Sequence, residues 1–298
     1  MKVLRSLLWF GMLVLIPTQG QSQEHSLLRA IEKEIGSIFE TNRQGVVRIH
    51  ALFTPNQNTS ATGSVFTHGS GFIFDSRGYI LTIEAAVHGA EEIRVTLASD
   101  RQVRARFVGS DPISGVAVIQ ADIDSLSIVK IGDSDRIQFG HYAFILGNDF
   151  GNLVPAFGTM HEIYQGEDLI QVSARVQSSY GGAPVFCSDG RVGGMVWRYQ
   201  DAPAGYTPSE QLAHTFMGVP GMPNSVFVIP INRAMHVAQV LVSDGKMLYG
   251  WLGVEVGMQG EDVVVIDVAA QSPAALSGVL SGDVLLAFGD RAVAGPHH

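Results

Sequence analysis

From Val46 onward the chain is cut into short apolar runs, namely Val46–Phe53, Gly71–Phe74, Tyr79–Thr82, Ile93–Leu97, Val103–Val108, Val116–Ile119 and Tyr142–Leu146. Gly, Asp-Ser and Asp-Pro turn residues punctuate them. Runs of this length read as strands, and many short strands with frequent turns build a β-barrel or a sandwich. Two helical patterns flank the region. Between His25 and Glu40 the apolar residues Leu27, Leu28, Ile31, Ile35, Ile38 and Phe39 recur at helical spacing, with Arg29, Glu32, Lys33 and Glu34 between them. A second helix, Asn232–Ser243, sets Met235, Ala238, Leu241 and Val242 on one side, with Asn232 placed to cap it.

Composition narrows the function classes. The 298 residues suggest two domains at about 150 residues each. Charged residues make up 16% and hydrophobic residues 46%, against roughly 25% charged in an average globular chain, which excludes disorder as the main state. Asp and Glu (28) exceed Lys and Arg (19), and no basic run offers the stripe a phosphate backbone needs, so nucleic acid is not an expected partner. The single cysteine, Cys187, excludes an intrachain disulfide and a Cys-based zinc cluster. It follows an apolar strand with no His near it in sequence, which reads as a buried inert thiol. His161-Glu162 lacks the second His of a zinc helix, and there is no Gly-rich phosphate loop. No cofactor is implied.

Lys2 and Arg5 precede an apolar run from Leu7 to Ile16, followed by Pro17, Thr18, Gln19 and Gly20, the pattern of a secretory signal peptide. Ten apolar residues rise about 15 Å, half of a hydrocarbon core of roughly 30 Å, so membrane contact is expected only transiently, through the leader. An uncleaved anchor is the alternative. The location is exported, periplasmic or otherwise extracytoplasmic. Val196–Phe227 holds Pro203, Pro208, Pro220 and Pro223 and is longer than an ordinary loop. Gly245–Gly250 reads as a linker, and a new β-type segment opens at Trp251. The expected organisation is a signal peptide over 1–23, an N-terminal helix over 24–45, a β-rich domain over 46–244 and a smaller module over 245–298.

The run Gly69-Ser70-Gly71-Phe72-Ile73-Phe74-Asp75-Ser76-Arg77-Gly78-Tyr79-Ile80-Leu81-Thr82 resembles the first-barrel strand pair of the HtrA (Deg) family, trypsin-like serine proteases of cell envelopes. Further landmarks follow in order: Gly109-Ser110-Asp111-Pro112, Ile131-Gly132-Asp133-Ser134-Asp135, Gly147-Asn148-Asp149-Phe150-Gly151, Ile170-Gln171 and Ile229-Pro230-Ile231-Asn232. The resemblance implies an all-β fold of two perpendicular barrels with the active site between them. Gly250-Trp251-Leu252-Gly253-Val254 resembles the carboxylate-binding loop that opens a PDZ domain in this family. Trp251, Leu252, Gly253 and Val254 are its candidate residues, since successive backbone N–H groups form a nest for a chain-terminal carboxylate while the bound peptide adds a strand. Ser272-Pro273-Ala274-Ala275 and Ser281-Gly282-Asp283-Val284-Leu285 resemble later parts of that module, and the sequence stops at His298 before its last helix and strand, a partial PDZ domain. The alternative is a β-hairpin packed on the barrel.

A serine protease needs a nucleophile, a base within hydrogen-bond reach, and a carboxylate that orients the base. Taken in the family's register, the base position is Ala85, after Leu81-Thr82, and the carboxylate position is Gly115, four residues after Asp111. The ungapped run Ile170–Pro184 places Gly181 at the nucleophile. All three catalytic positions therefore lack a reactive side chain, and the catalytic set is none. His88, Ser178 and Ser179 lie two or three positions away, a displacement of several ångströms on extended chain, where even about 1 Å costs roughly a hundredfold in rate. His88 reads as a surface loop residue, and His141 and His161 as strand-end histidines. Backbone N–H groups of Ser179 and Gly181 are the candidate oxyanion hole, against a plain tight turn that needs positive φ. Trp197 and Tyr199 fall in the strand that would wall the cleft, filling either the pocket or the core.

The function implied is a catalytically inactive HtrA-like homologue, a pseudoprotease of envelope protein quality control. Its expected partners are unfolded or extended polypeptides and protein C-termini, in a homotrimer built through the N-terminal helix or in a hetero-assembly with active homologues. The alternatives are an active endopeptidase with a rearranged site and a structural envelope protein.

Overall fold

Alternation along β1 (Val46–Phe53) decides the architecture: Val47, Ile49 and Ala51 are fully buried in one apolar cluster, while Arg48 and His50 point to the other face. The computed structural model describes residues 20–293 except 55–64, 125, 150, 165–168, 201–224, 261 and 290. Residues 1–19 of the expected 1–23 signal peptide and most of the proline-containing stretch lie outside the described residues. Strands β1, β2 (Val65–Ile73), β3 (Tyr79–Ile83), β4 (Glu92–Thr96), β5 (Gln102–Asp111) and β6 (Val116–Ala121) close a barrel in the order β1-β2-β3-β6-β5-β4. A four-residue helix, α2 (Glu84–Val87), follows β3. The second barrel is formed by β7 (Tyr142–Asp149), β8 (Asn152–Tyr164), β9 (Leu169–Ser173), β10 (Pro184–Phe186), β11 (Val192–Gln200) and β12 (Ser225–Pro230), in the order β10-β11-β12-β9-β8-β7. Closure removes free sheet edges, and Ile145, Val172, Val185, Val196 and Val228 fill its interior. The fold is the expected all-β double barrel.

The chain divides into two units, 1–37 and 38–298. Helix α1 (Gly20–Asn42) is longer than its apolar pattern predicts and crosses that division. Its Leu27, Leu28 and Ile31 are exposed. Within the second unit Ile38 is buried, the Phe39 ring meets Phe144 edge-on, and the Asn42 amide donates to the Ile38 and Gly190 carbonyls.

Helix α3 (Ile231–Asp244) closes the second barrel as expected, but Asn232 does not cap it. Pro230 occupies the cap position, and the Asn232 side chain donates to Asp133 Oδ1 at 2.9 Å while accepting from the Ser134 N–H at 3.4 Å. Long-range partners outcompete the local cap. Beyond the linker, β13 (Val254–Gln259) and β14 (Asp262–Val268) form a hairpin, followed by α4 (Pro273–Leu276) and a two-residue pair, β15 (Ala287–Phe288) with β16 (Arg291–Ala292). Ser272 caps α4, its Oγ accepting from the Ala275 N–H at 3.0 Å. No described helix is long and apolar enough to cross a membrane.

Candidate functional site

The barrels meet at Ser70, a fully buried hydroxyl on β2. Its Oγ donates to the Ser179 carbonyl and accepts from the Asn148 N–H, each at 2.8 Å. Its N–H donates to the Gly181 carbonyl at 2.9 Å, and its carbonyl accepts from Thr82 Oγ1 at 2.7 Å. One residue thus ties β2, β3 and β7 to the turn over 178–182. Gly182, at φ +87°, fits only without a side chain, because a Cβ there would lie 2.2 Å from the Ser70 carbonyl oxygen. Arg48, buried below the same seam, reaches the Gly151 carbonyl across it and pairs with Asp100 at 2.5 Å.

A cleft of about 460 Å³ opens beside this seam, and both Ala85 and Gly181 line it together with His68, Ile83 and Ser178. Ala85 is exposed on α2, directly before the buried Ala86 and Val87 that anchor the helix. Gly115 adjoins them, its carbonyl accepting from the Glu84 N–H at 2.7 Å. At φ +74° its missing side chain would project onto the Trp197 indole, with a Cβ 2.3 Å from Nε1. Trp197 therefore occupies the space into which a residue at 115 would point, with the Arg198 guanidinium 4.5 Å above the ring. The sequence marked Trp197 as a cleft or core residue but not its partner, since the contact joins two barrels. The Tyr199 side chain lies outside the described residues.

Of the two backbone donors expected of an oxyanion hole, Ser179 and Gly181, the second has a partner within its own turn. Residues 178–180 form a 3-10 turn, in which the Gly181 N–H is spent on the Ser178 carbonyl at 3.1 Å. Tyr180 points away from the cleft, its hydroxyl donating to the Val154 carbonyl at 2.9 Å, and burial with the nearby Asp149 charge pushes it up to about 12. The displaced candidates are not brought together. Ser179 Oγ donates to the Asn148 carbonyl at 2.6 Å, whereas His88 Nδ1 faces Ser110 Oγ at 3.0 Å and Glu84 at 3.7 Å. His141 Nδ1 accepts from the Gln138 N–H at 3.3 Å, a local turn contact. Cys187 is part-buried, and desolvation with Asp189 behind it pushes its thiol up to about 11, away from thiolate reactivity. Among the described residues no group of three or more His, Cys, Asp or Glu is placed to hold a metal ion.

In the C-terminal module Gly253 has φ +78°, and a Cβ there would lie 2.2 Å from the Ser272 Cβ. The Gly253 carbonyl accepts from the Ala269 N–H at 2.9 Å and the Leu252 carbonyl from the Ala274 N–H at 3.0 Å, while Trp251 stays exposed and Val254 starts β13. The loop is thus fixed from its carbonyl side, which suits a role for its N–H groups.

Two closed six-stranded barrels with a cleft at their seam, followed by this module, define a trypsin-like peptidase fold with an appended PDZ region. Residues 69–195 match the trypsin-like peptidase domain and residues 250–297 the PDZ domain. The chain belongs to the HtrA/Deg family. It is 32% identical over 245 residues to a protein of Marinomonas sp. named probable periplasmic serine endoprotease DegP-like, covering 76% of this chain and 49% of that one. A protein of the same name from Halomonas elongata is 32% identical over 239 residues, 73% of this chain and 47% of its own. The chain spans about half the length of these curated relatives. Among solved structures, the HtrA-type protease AlgW with tripeptide superposes with a TM-score of 0.71 at 26% identity, covering 87% of this chain and 84% of that one. The serine endoprotease from Yersinia pestis gives 0.65 at 21% identity, covering 88% and 84%, a likeness of fold. An exported, periplasmic location agrees with the relatives' names.

Proposed function

We propose that this protein is a catalytically inactive HtrA-like homologue that binds unfolded or extended polypeptides or regulates active homologues. The observation that carries the reading is Trp197 seated on Gly115: the place from which a carboxylate would orient a base is filled by an indole. Ala85 and Gly181, which share the cleft, supply no group that moves a proton or attacks a carbonyl. The partnering of His88 with Ser110 and Glu84, and of Ser179 with Asn148, speaks against a relocated triad. A relative of the same fold is described with a tripeptide, which favours a polypeptide as the ligand. The Trp251–Val254 loop is the proposed seat for a C-terminal carboxylate. The exposed Leu27, Leu28 and Ile31 of α1 offer an apolar stripe for self-assembly or for joining active homologues.

The test is fluorophosphonate labelling and cleavage of an unfolded protein by the mature chain, with fluorescence anisotropy of a labelled unfolded polypeptide to read binding. The expected result is binding without labelling or cleavage. Restoring Ala85→His, Gly115→Asp and Gly181→Ser together should leave the chain inert, because the new side chains at 115 and 181 collide with Trp197 and with Ile83 Cδ1, the latter 2.5 Å from a Cβ. Adding Trp197→Ala and Ile83→Ala is expected to admit them and give measurable labelling. Labelling and turnover by the unmodified chain would overturn the proposal.

A further inference from the structure

His50 on β1 and His68 on β2 stand directly opposite each other in the antiparallel register. Their rings meet edge to face with centroids 4.9 Å apart, and the two Nδ1 atoms are 2.9 Å from one another, sharing a hydrogen bond that a bound ion would replace. They share the outward face of these strands with Arg48 and Ser70, which lie under the barrel seam, so the pair sits where that buried seam opens to solvent. His68 also lines the cleft beside Gly69.

We propose that His50 and His68 form a site for a divalent transition-metal ion of the zinc and copper class, at the rim of the cleft. With a metal–nitrogen bond of about 2.05 Å, a right-angle bite separates two ligating nitrogens by about 2.9 Å and a tetrahedral bite by about 3.3 Å. The observed spacing matches the first, and the exposed His68 has room to turn for the second. Neutral imidazoles are required. The neighbouring cations are already balanced: Arg48 is paired with Asp100 at 2.5 Å, and Arg94, opposite His50 on β4, is paired with Glu92 at 2.9 Å. No further His, Cys, Asp or Glu among the described residues completes the set, so water fills the remaining positions and the ion keeps open coordination toward the cleft. The site stands whether or not the cleft holds a polypeptide.

The test is calorimetric titration of Zn(II) and Cu(II) into the untagged mature chain at pH 7.5, beside His50→Gln and His68→Gln. Because His297 and His298 can hold ions of their own, the reading is the ion lost between parent and variant. One ion per chain is expected to disappear in each variant, Cu(II) binding tighter than Zn(II). Isotherms that are the same in parent and variants would mean adventitious binding elsewhere and overturn the site. Electron paramagnetic resonance of Cu(II) bound to the parent, set against the His50→Gln and His68→Gln chains, is expected to show a two-nitrogen signal lost in both; a spectrum unchanged between parent and variants would refute it.

Discussion

Gly115 is glycine for two separable reasons, its φ of +74° and the indole of Trp197 above it. A left-handed backbone costs a residue with a Cβ about 1–2 kcal/mol, and overpacking adds about 1–3 kcal/mol. Gly115→Ala is therefore expected to destabilise by about 2–5 kcal/mol in urea unfolding. In a Trp197→Ala background the same change should cost at least about 1 kcal/mol less, since only the backbone term remains. Strictly additive effects would show that the indole does not limit the position. The family resemblance put Ala85, Gly115 and Gly181 in register by counting from Leu81-Thr82, from Asp111 and along the ungapped run Ile170–Pro184. It did not pair Gly115 with Trp197, because side-chain contacts between β11 and the turn before β6 leave no periodic trace. The same limit hid the duty of the Gly181 N–H, which the 3-10 turn takes for Ser178.

At the level of elements, the strands were legible because their inward residues alternate, as Val47, Ile49 and Ala51 do in β1. Helix α3 was legible in extent, yet its Asn232 was misread, because Asp133 and Ser134 approach it only after the second barrel forms. The docking of β2 on the second barrel was not legible at all. It rests on Ser70, whose side chain meets the second barrel only in the folded chain. A Cβ at Gly71 would come within 2.9 Å of Ile80 Cγ2 and the Leu81 carbonyl, so β2 packs closely on β3 as well. Ser70→Ala leaves the buried Asn148 N–H and the Ser179 carbonyl without that hydroxyl, at about 1–3 kcal/mol for each group stranded. The expected outcome is a loss of about 2–6 kcal/mol in urea unfolding, with faster amide exchange at Asn148 and across 178–182. Protection that persists at Asn148 would show that the seam does not depend on this hydroxyl.

Across the whole molecule, the segment read as a linker is bound rather than free. Gly245 ends α3 at φ +75°, and Tyr249 a few residues on donates its hydroxyl to Asp111, the residue that opens the turn carrying Gly115. The chain leading to the PDZ region thus rests on the turn that carries Gly115. Burial works to raise the Asp111 carboxyl, but hydrogen bonds from Ser114, Tyr249 and Ile113 prevail and hold it below the usual carboxylate value. The Tyr249 hydroxyl is pushed up to about 12, by burial first and by the bond to Asp111 second. A carboxylate depressed in the folded state adds stability above its unfolded value near 4 and loses it as pH falls through the folded value. A tyrosine raised in the folded state adds stability below its unfolded value near 10 and loses it as pH climbs toward 12. Tyr249→Phe should accordingly cost about 1 kcal/mol, less than a fully buried charged bond because the ring is half-exposed. Urea unfolding of both proteins should show that difference constant from about pH 5 to 9, closing below about pH 4 and again above about pH 10. A gap that stays the same at pH 3 and pH 7 would mean that the ring contributes by packing alone, and that the linker is not held through the Asp111 charge.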